Sequence, residues 1–512
     1  MRQVLHIFQK DARHYWREAA VSLALVVVFG WNEVGQLTDE VWTPDVVGPH
    51  SLLGLIAMLL PVAWSLLIVR VIHGESLVGD RQFWVTRPYE WKKLLAAKVL
   101  YLITFINLPL LVMDAFVLAR AGFPPLTHLA GLVWMQILIM LFFLLPVASF
   151  AAVTTTITQV LLTALVIALY LGGIVALWQH TLSSNFISLI DWLQTDLFVL
   201  TVVAVILWQY ARRRTNQSRW LIIGFCLWVC LAVVAAPYKA LVAHEFPEPK
   251  AGQPPPLRMA ILAAEIPTPT TFYAKDKEVE IQLPLGVSGL APDAIAAVEG
   301  VLIEIEGPGG SHWDPGWKSP FLFIFPDQTK IHIGFTLKKD MFEQIKAVPV
   351  KVRVSFALTL FREKNRKEFV VPAGEFALAG VGLCSAGEAY AQQIHCRAPM
   401  RLPAFLLISA DMASTTCPIL GGESPGRPGV TERGWRRSDT SGPAEFGISP
   451  IERFDLYLSN SAPMIPAINQ TAGICPGSHL TLSNPKVAVR NRTMLEIDGM
   501  RVGDYQLKPT TF

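Results

Sequence analysis

The sequence predicts an α-helical membrane bundle followed by an all-β region, and three observations carry this prediction. The chain of 512 residues has a mean hydropathy of +0.42 and is only 16% charged, whereas soluble domains are about 25% charged. No Asp, Glu, Lys or Arg occurs between Arg120 and Asp191. Beyond residue 256, apolar residues recur at every second position, which is typical of strands.

Seven apolar segments are predicted to cross the bilayer, because roughly 20 apolar residues are needed to span about 30 Å of hydrocarbon. The predicted spans are 19–36, 52–69, 99–119, 129–153, 160–177, 197–210 and 220–237. The first is the weakest, since only the residues between Glu18 and Glu33 are free of charge. The fourth and fifth spans are separated by the polar turn 154–159. The predicted transmembrane bundle therefore covers residues 19–238.

Residues 1–18 are predicted to form an amphipathic helix in the membrane interface. Leu5, Phe8, Ala12 and Tyr15 recur at helical spacing and define its apolar face. An ordinary cytoplasmic helix is the alternative interpretation. A cleavable signal peptide is not expected, because no small-residue cleavage site follows a compact apolar segment.

The distribution of basic residues predicts the orientation of the bundle. Four Lys or Arg residues precede span one, six lie in the loop between spans two and three, and four precede span seven. The alternate short segments carry only Arg120 and Lys239. Because cytoplasmic loops are enriched in Lys and Arg, we expect a multi-pass protein of the inner (plasma) membrane. Its N-terminus is then cytoplasmic and its C-terminal domain extracytoplasmic.

After the last span, residues 239–256 are predicted to be a Pro-rich, extended linker, and residues 257–512 a β-rich domain of one or two antiparallel sandwiches. Alternating apolar residues predict strands around 279–283, 301–305, 331–337 and 350–360, and weaker ones around 454–458 and 487–489. The Gly-, Pro- and Ser-rich stretch 417–447 is predicted to be an irregular loop.

Four of the six cysteines lie in the segment predicted to be outside the cell, where disulfides are stable. They are Cys384, Cys396, Cys417 and Cys475. Sequence order favours the pairs Cys384–Cys396 and Cys417–Cys475, although three pairings are possible. The other two, Cys226 and Cys230, lie in span seven and are interpreted as small apolar residues.

Two common motifs for nucleotide and metal chemistry are missing from the sequence. It contains no GxxxxGK[ST] phosphate loop and no HExxH. We therefore expect neither an enzyme nor a bound cofactor or metal. A formal net charge of +3 is too small to predict nucleic-acid binding.

Polar residues inside predicted spans are candidates for a transport path. Asn107 and Asp114 lie in span three and Gln136 in span four. Ionisable groups in hydrocarbon usually face the bundle interior or a water-filled cavity. The alternative is a hydrated Asp114 near the outer interface, paired with Arg120.

The loop between spans two and three, 70–98, is basic and aromatic, with the sequence RVIHGESLVGDRQFWVTRPYEWKKLLAAK. It either lies passively in the headgroup layer or presents a surface to a soluble partner. Its order of an acid (Glu75), Gly79, an apolar stretch (83–85), Pro88 and a lysine entering span three (Lys98) resembles the membrane subunit of type-2 ABC exporters. The interfacial helix, the short turn 154–159 and the first six spans add to this resemblance, which covers about residues 1–215.

The resemblance implies that residues 79–93 form a coupling helix that docks onto a separate ABC ATPase, and that two permease subunits pair as a homodimer or heterodimer in the bilayer. The implied coupling residues are Gly79, Arg81, Phe83, Trp84, Arg87, Pro88 and Tyr89. Span seven and the β domain depart from the six-span family pattern.

The expected function is therefore that of an ABC transporter permease, which couples ATP hydrolysis by its partner to export or to mechanical work outside the cell. The alternative is a membrane-anchored binding, sensing or scaffold protein without transport activity.

Overall fold

The computed structural model describes most of the chain. The described residues are 2–38, 52–74, 90–181, 188–235, 238–249, 257–263, 278–307, 310, 312–320, 322–363, 366–386, 393–400, 405–411, 431–437, 449–457 and 476–507. They form a helical bundle in the N-terminal half and antiparallel sheets in the C-terminal half.

The N-terminal half consists of eleven helices among the described residues. They are α1 (Arg2–His14), α2 (Trp16–Thr38), α3 (Leu52–His73), α4 (Trp91–Leu102), α5 (Leu108–Arg120), α6 (Leu129–Ile139), α7 (Leu145–Val153), α8 (Ile157–Thr181), α9 (Ser188–Arg212), α10 (Thr215–Ala235) and α11 (Tyr238–Glu245). Short π-helical turns, Ile103–Asn107 and Met140–Leu144, join α4 to α5 and α6 to α7.

Six helical segments of the described chain are long and apolar enough to cross a membrane. They are Trp16–Gly35, Gly54–His73, Trp91–Arg120, Pro125–Val153, Ile157–Ile174 and Trp192–Arg212, called spans one to six below. The predicted span seven coincides with α10, which is not one of the six and begins with the polar residues 215–219. The prediction of seven crossings is therefore not confirmed.

The bundle has two ends, which serve as reference points below. At the proximal end, α1 packs beside the end of α3 and the start of α4. At the distal end, α5 ends and α6 begins. Large apolar side chains such as Trp64, Tyr101 and Leu110 fill the centre of the bundle with 1% or less of their surface exposed. Span five has the smallest buried share of the six spans, since only 6% of its residues are buried within the protein.

The contact face of α1 differs from the one predicted. Phe8 and Ala12 face the bundle and Tyr15 is buried, but Leu5 is 48% exposed. Ile7 and Asp11 are buried in its place. Helical periodicity identifies an apolar stripe only approximately, and here an ion pair at Asp11 sets the rotation of the helix.

The C-terminal half contains sixteen strands and one helix, α12 (Lys339–Ile345), among the described residues. The strands are β1 (Arg258–Ile261), β2 (Glu278–Ser288), β3 (Ala294–Glu306), β4 (His312–Trp313), β5 (Leu322–Ile324), β6 (Lys330–Lys338), β7 (Val350–Arg362), β8 (Lys367–Val370), β9 (Glu375–Leu378), β10 (Gly382–Ala386), β11 (Gln393–Pro399), β12 (Phe405–Asp411), β13 (Thr431–Arg437), β14 (Ile451–Tyr457), β15 (His479–Ser483) and β16 (Lys486–Met500).

These strands build two modules, each with one shared apolar core. In the first module, the sheet β1-β2-β6 faces the sheet β16-β7-β3-β4, in which β5 also pairs with β3. In the second module, the sheet β14-β11-β10-β9 faces β13-β12-β15-β8. The rings of Phe323 and Phe361 stack on Phe405 at centroid distances of 5.0 and 4.9 Å, which joins the two modules.

One prediction for this half was wrong in part. The stretch 417–447 contains the strand β13, which pairs with β12 along seven residues. The helix α11 covers the first residues of the predicted linker 239–256, and residues 250–256 lie outside the described residues. Both segments are stabilised by partners far away in the chain, which local composition does not reveal.

Candidate functional site

Spans three and four each contain one π-helical turn, and a proline follows each turn. Pro109 and Pro146 occupy the first turns of α5 and α7. A proline lacks an N–H, and its ring collides with the carbonyl four residues earlier, so a wider π turn relieves the clash. Such turns are frequent at functional sites.

The three predicted path residues meet where span three packs on span four and form one buried hydrogen-bonded chain. The Asn107 side-chain amide donates to Gln136 Oε1 at 3.2 Å and to the backbone oxygen of Gln136 at 3.2 Å. Gln136 Nε2 in turn donates to Asp114 Oδ2 at 2.9 Å. The sequence identified these residues separately, and the packing of span three on span four brings them together.

This hydrogen-bonded chain of Asn107, Gln136 and Asp114 ends in two unsatisfied oxygens. Asp114 Oδ1 and Asn107 Oδ1 accept no hydrogen bond from the described residues, although Asp114 is fully buried and Asn107 is only 7% exposed. A hydrated Asp114 paired with Arg120 does not fit this burial, since Gln136 is its hydrogen-bond donor and Arg120 is exposed. Unpaired buried acceptors cost about 1–3 kcal/mol each, so the arrangement favours a site that receives a donor over a purely structural contact.

The buried carboxylate of Glu33 lies in the same part of the bundle as Asp114. Glu33 was not predicted as a site residue. Glu33 of α2 lies close enough to Asp114 to interact with it electrostatically. Its side chain is 4% exposed and accepts hydrogen bonds from Arg453 Nη2 at 2.9 Å and Ser449 Oγ at 2.8 Å. The sequence signal was an acid near the end of a weak first span. Its partner, 420 residues away, could not be recognised from the sequence.

Apolar contacts surround this ion pair and fix the second β module to the distal end of the bundle. Ile451 belongs to the same apolar core as the spans. Met400 packs so tightly on span four that a Cβ on Gly131 would lie 2.9 Å from Met400 Cε. Glu33, Ile451 and Met400 therefore attach the β module to the same end of the bundle that holds Asp114.

At the proximal end, another buried ion pair joins α1 to span three. Lys98 Nζ donates to Asp11 Oδ2 at 2.7 Å and to the backbone oxygen of Val71 at 2.9 Å. The Phe8 ring also contacts Tyr101 and Phe105, with centroid distances of 6.3 and 6.0 Å. The end of span two, the start of span three and α1 are thereby fixed together at the base of the loop.

The predicted ATPase-coupling residues lie outside the described residues, in 75–89. They are Gly79, Arg81, Phe83, Trp84, Arg87, Pro88 and Tyr89. Their role therefore stays a prediction. Lys98, which carried part of the resemblance, is described and pairs with Asp11.

The first β module is attached to α11 by ion pairs. Lys239 Nζ lies 3.0 Å from Glu304 Oε1 and 2.7 Å from Asp314 Oδ2. The hydrogen bond to Asp314 raises the pKa of Lys239. Burial by itself raises the pKa of Asp314, but the hydrogen bonds from Lys239 and the Gly316 N–H outweigh it, so the pKa lies below its ordinary value. Arg490 pairs with Glu245 in the same interface.

The same region contains a set of groups with metal-ligand chemistry. Glu304, His312 and Asp314 can each present one ligand atom, all within 4.8 Å of one another. The Lys239 ammonium group already contacts two of these three side chains. This arrangement fits an ion-pair network that holds α11 better than a metal centre.

The predicted disulfide Cys384–Cys396 is confirmed. The two cysteines face each other across β10 and β11 with their Cα atoms 4.1 Å apart. Cys417 and Cys475 lie outside the described residues, and their pairing stays a prediction. Cys226 and Cys230 are free thiols in α10.

Comparison with known proteins does not assign this chain to a class. No family model matches the chain, and no curated protein is significantly similar to it. Among solved structures, the crystal structure of red sea bream transglutaminase is similar over 57% of this chain, with 10% identity and a TM-score of 0.14. This chain spans 35% of the length of that one. So low a TM-score supports no conclusion about fold or activity.

Proposed function

We propose that this chain is the membrane subunit of an ABC-type transport system, which couples ATP hydrolysis by a separate ATPase to export or to mechanical work on the β modules. The resemblance of the first six spans to type-2 exporter permeases motivates the proposal. The N-terminus and the 75–89 loop are then cytoplasmic, and the β modules extracytoplasmic, as the Lys and Arg distribution favours.

One observation carries the mechanical part of the proposal: a single span connects the two ends of the bundle. Span three holds Lys98 at the base of the loop and Asp114 in the buried chain, sixteen residues or about 24 Å further along the helix. Asp114 lies within electrostatic range of Glu33, which binds Arg453 of the β module. Tilting of the loop base therefore moves the groups that hold the β module.

The buried chain gives the same span a place to bend. The π turn at Ile103–Asn107 interrupts the helix between its two anchored ends. Asn107 and Gln136 hold this turn against span four. In the proposed cycle, the Asn107–Gln136–Asp114 chain rearranges as the spans move, and its unsatisfied oxygens line the path or hinge.

A second permease subunit completes the proposed assembly. Type-2 exporters work as pairs, and span five offers a large surface, since only 6% of its residues are buried within this chain. Leu161, Leu165 and Leu169 are among its exposed side chains. Lipid covers whatever part of this surface the partner leaves open.

The test is purification of the full chain from its native membrane with and without Trp84→Ala. We expect an ATPase carrying a phosphate loop, encoded by a neighbouring open reading frame, to co-purify with the wild type and to be lost from the variant. Trp16→Ala is the matched control, because Trp16 is an exposed tryptophan at the proximal end but outside the loop. A pure complex without any ATPase, or equal recovery with Trp84→Ala, contradicts the proposal.

The scaffold alternative makes the opposite prediction. It requires β modules that bind their ligand equally well when cleaved from the bundle within 250–256. The Glu33–Arg453 pair and the packing of Ile451 in the bundle core argue against such independence.

A further inference from the structure

We infer that α1 and the end of α3 form a binding site for the phosphate headgroup of an anionic phospholipid. The site is a cavity of about 570 Å³ at the proximal end of the bundle. Its lining includes His6, Lys10, Arg13 and His14 of α1 and Gly74, which follows α3. The inference depends only on membrane insertion of the bundle, and not on the proposed ATPase.

The spacing of the basic residues places them on one face of the helix. Position 10 is four residues from position 6, three from position 13 and four from position 14, and residues at these spacings are neighbours on a helix surface. All four side chains are exposed. The opposite face of α1 packs on the spans through Ile7 and Phe8, so the basic face can only point away from the bundle core.

The cavity is positively charged because its one acidic side chain is already neutralised. Among the lining residues that the structure describes, Asp11 is the only Asp or Glu. Its Oδ2 accepts a hydrogen bond from the buried Lys98 at 2.7 Å, and Lys10 lies 3.9 Å from its Oδ1. The remaining Arg13 and the two histidines leave a net attraction for an anion.

The position of the cavity along the bundle matches the headgroup layer. Span one begins at Trp16 and span two ends at His73, so the lining lies immediately beyond the ends of both spans. Trp16 is 58% exposed, with Arg17 over its ring at 5.7 Å. Tryptophans are enriched at this depth, where the ring meets the boundary between hydrocarbon and headgroups.

The exposed apolar side chains near the cavity favour a lipid over a free anion. Leu5, one of the four residues that the sequence placed on the apolar face of α1, is 48% exposed, and Trp16 is 58% exposed. Leu5 lies on α1 outside the cavity lining, where it suits contact with the apolar chain of a lipid whose phosphate occupies the cavity. Basic and apolar residues combined on one helix are typical of interfacial lipid binding.

Gly74 shapes the wall of the cavity opposite the helix. A Cβ on Gly74 would lie 2.0 Å from the Tyr15 hydroxyl oxygen, so only glycine allows this approach. The Gly74 backbone therefore lies close to the Tyr15 hydroxyl group, and the cavity lies beside this contact.

The experiment uses the full chain in nanodiscs of phosphatidylcholine with increasing phosphatidylglycerol, and native mass spectrometry to count retained phosphatidylglycerol. In the variant Lys10→Gln/Arg13→Gln we expect roughly 30-fold weaker retention, because each basic residue near an anionic surface contributes about 1 kcal/mol. The matched control is Lys92→Gln/Lys93→Gln, which removes two basic residues at the start of span three. It should stay within about threefold of the wild type.

Each outcome has one meaning. Equal retention by the Lys10→Gln/Arg13→Gln variant overturns the inference, and so does an equal loss in the control, which would show a general effect of surface charge. Competition by millimolar inorganic phosphate indicates that the phosphate group alone is recognised, and lack of competition indicates that the whole lipid is needed. Circular dichroism of each variant checks that the bundle is folded.

Discussion

The buried pair Asp11–Lys98 gives the sharpest test of how the proximal end is held together. Its side chains are 2% and 4% exposed, and Lys98 Nζ lies 2.7 Å from Asp11 Oδ2. In the variant Lys98→Met, the Asp11 carboxylate loses the buried ammonium group that donates to it, and Val71 O loses a donor. Removal of one partner from a buried pair costs about 3–5 kcal/mol.

That free energy should appear as local opening of α1, because the pair is a buried polar contact between α1 and span three. At about 1.4 kcal/mol per factor of ten, the opening equilibrium rises by a factor of roughly 100 to 5,000. The assay is amide hydrogen exchange of residues 2–14 in detergent or nanodiscs, measured by mass spectrometry. Peptides from span three beyond residue 107 should keep their protection.

Two further variants make the result decisive. In Asp11→Leu/Lys98→Met no charge is left unpaired, so most of the protection should return. Lys93→Met removes an exposed lysine 2.8 Å from Glu90 and should change protection by at most about 0.5 kcal/mol. Unchanged exchange in Lys98→Met, or a double variant no better than the single one, would refute the argument.

Three other predictions concern the remaining contacts. Glu33→Gln removes the charge that binds Arg453, and since charge-assisted hydrogen bonds contribute about 1.5–3 kcal/mol, exchange of residues 449–457 should rise at least tenfold. Gln136→Leu leaves Asp114 without its donor and should lower the free energy of unfolding by about 1–3 kcal/mol in a detergent melt. The contact between Lys239 and Asp314 holds α11 only while both groups are charged. It should therefore be lost when the pH falls through the Asp314 pKa, which lies below its ordinary value of 3.8. It should also be lost when the pH rises through the Lys239 pKa, which lies above its ordinary value of 10.5. Spin-label distances between α11 and β4 report this pH window.

The controls for these predictions follow from the same contacts. Asp498, exposed on β16, gives the neutral comparison Asp498→Asn for the Glu33 variant. Gln136→Met keeps nearly the size of the side chain without adding a charge, and tests whether loss of the donor, and not of volume, destabilises the bundle. Lys239→Gln should abolish the pH dependence at the alkaline end. An attachment of α11 that is equally strong across the whole range contradicts the ion-pair assignment.

Local patterns in the sequence were sufficient to predict many of the helices and strands of this protein. The charge-free stretch after Arg120 predicted two apolar helices, and the structure has spans four and five there. Alternating apolar residues predicted β2, β3, β6 and β7. These features are readable because burial imposes a period of two or about 3.6 residues on neighbouring positions.

Other features depended on partners that no local pattern contains. The strand β13 forms only because β12 offers it an edge, and α1 exposes Leu5 because Asp11 is held by Lys98. In both cases a contact between distant segments decides the conformation or the rotation of an element whose own composition is ambiguous.

For the candidate site, too, some features could be predicted from the sequence and others depended on the tertiary structure. The sequence by itself determined that Asn107, Asp114 and Gln136 are polar residues within apolar segments, which made them candidates, because such residues are costly in hydrocarbon. Only the tertiary structure decided that they form one chain and that Glu33 and Arg453 adjoin it. The physical reason is that the energy of a buried polar group depends on its partner's position, and that position is set by how whole helices and sheets pack.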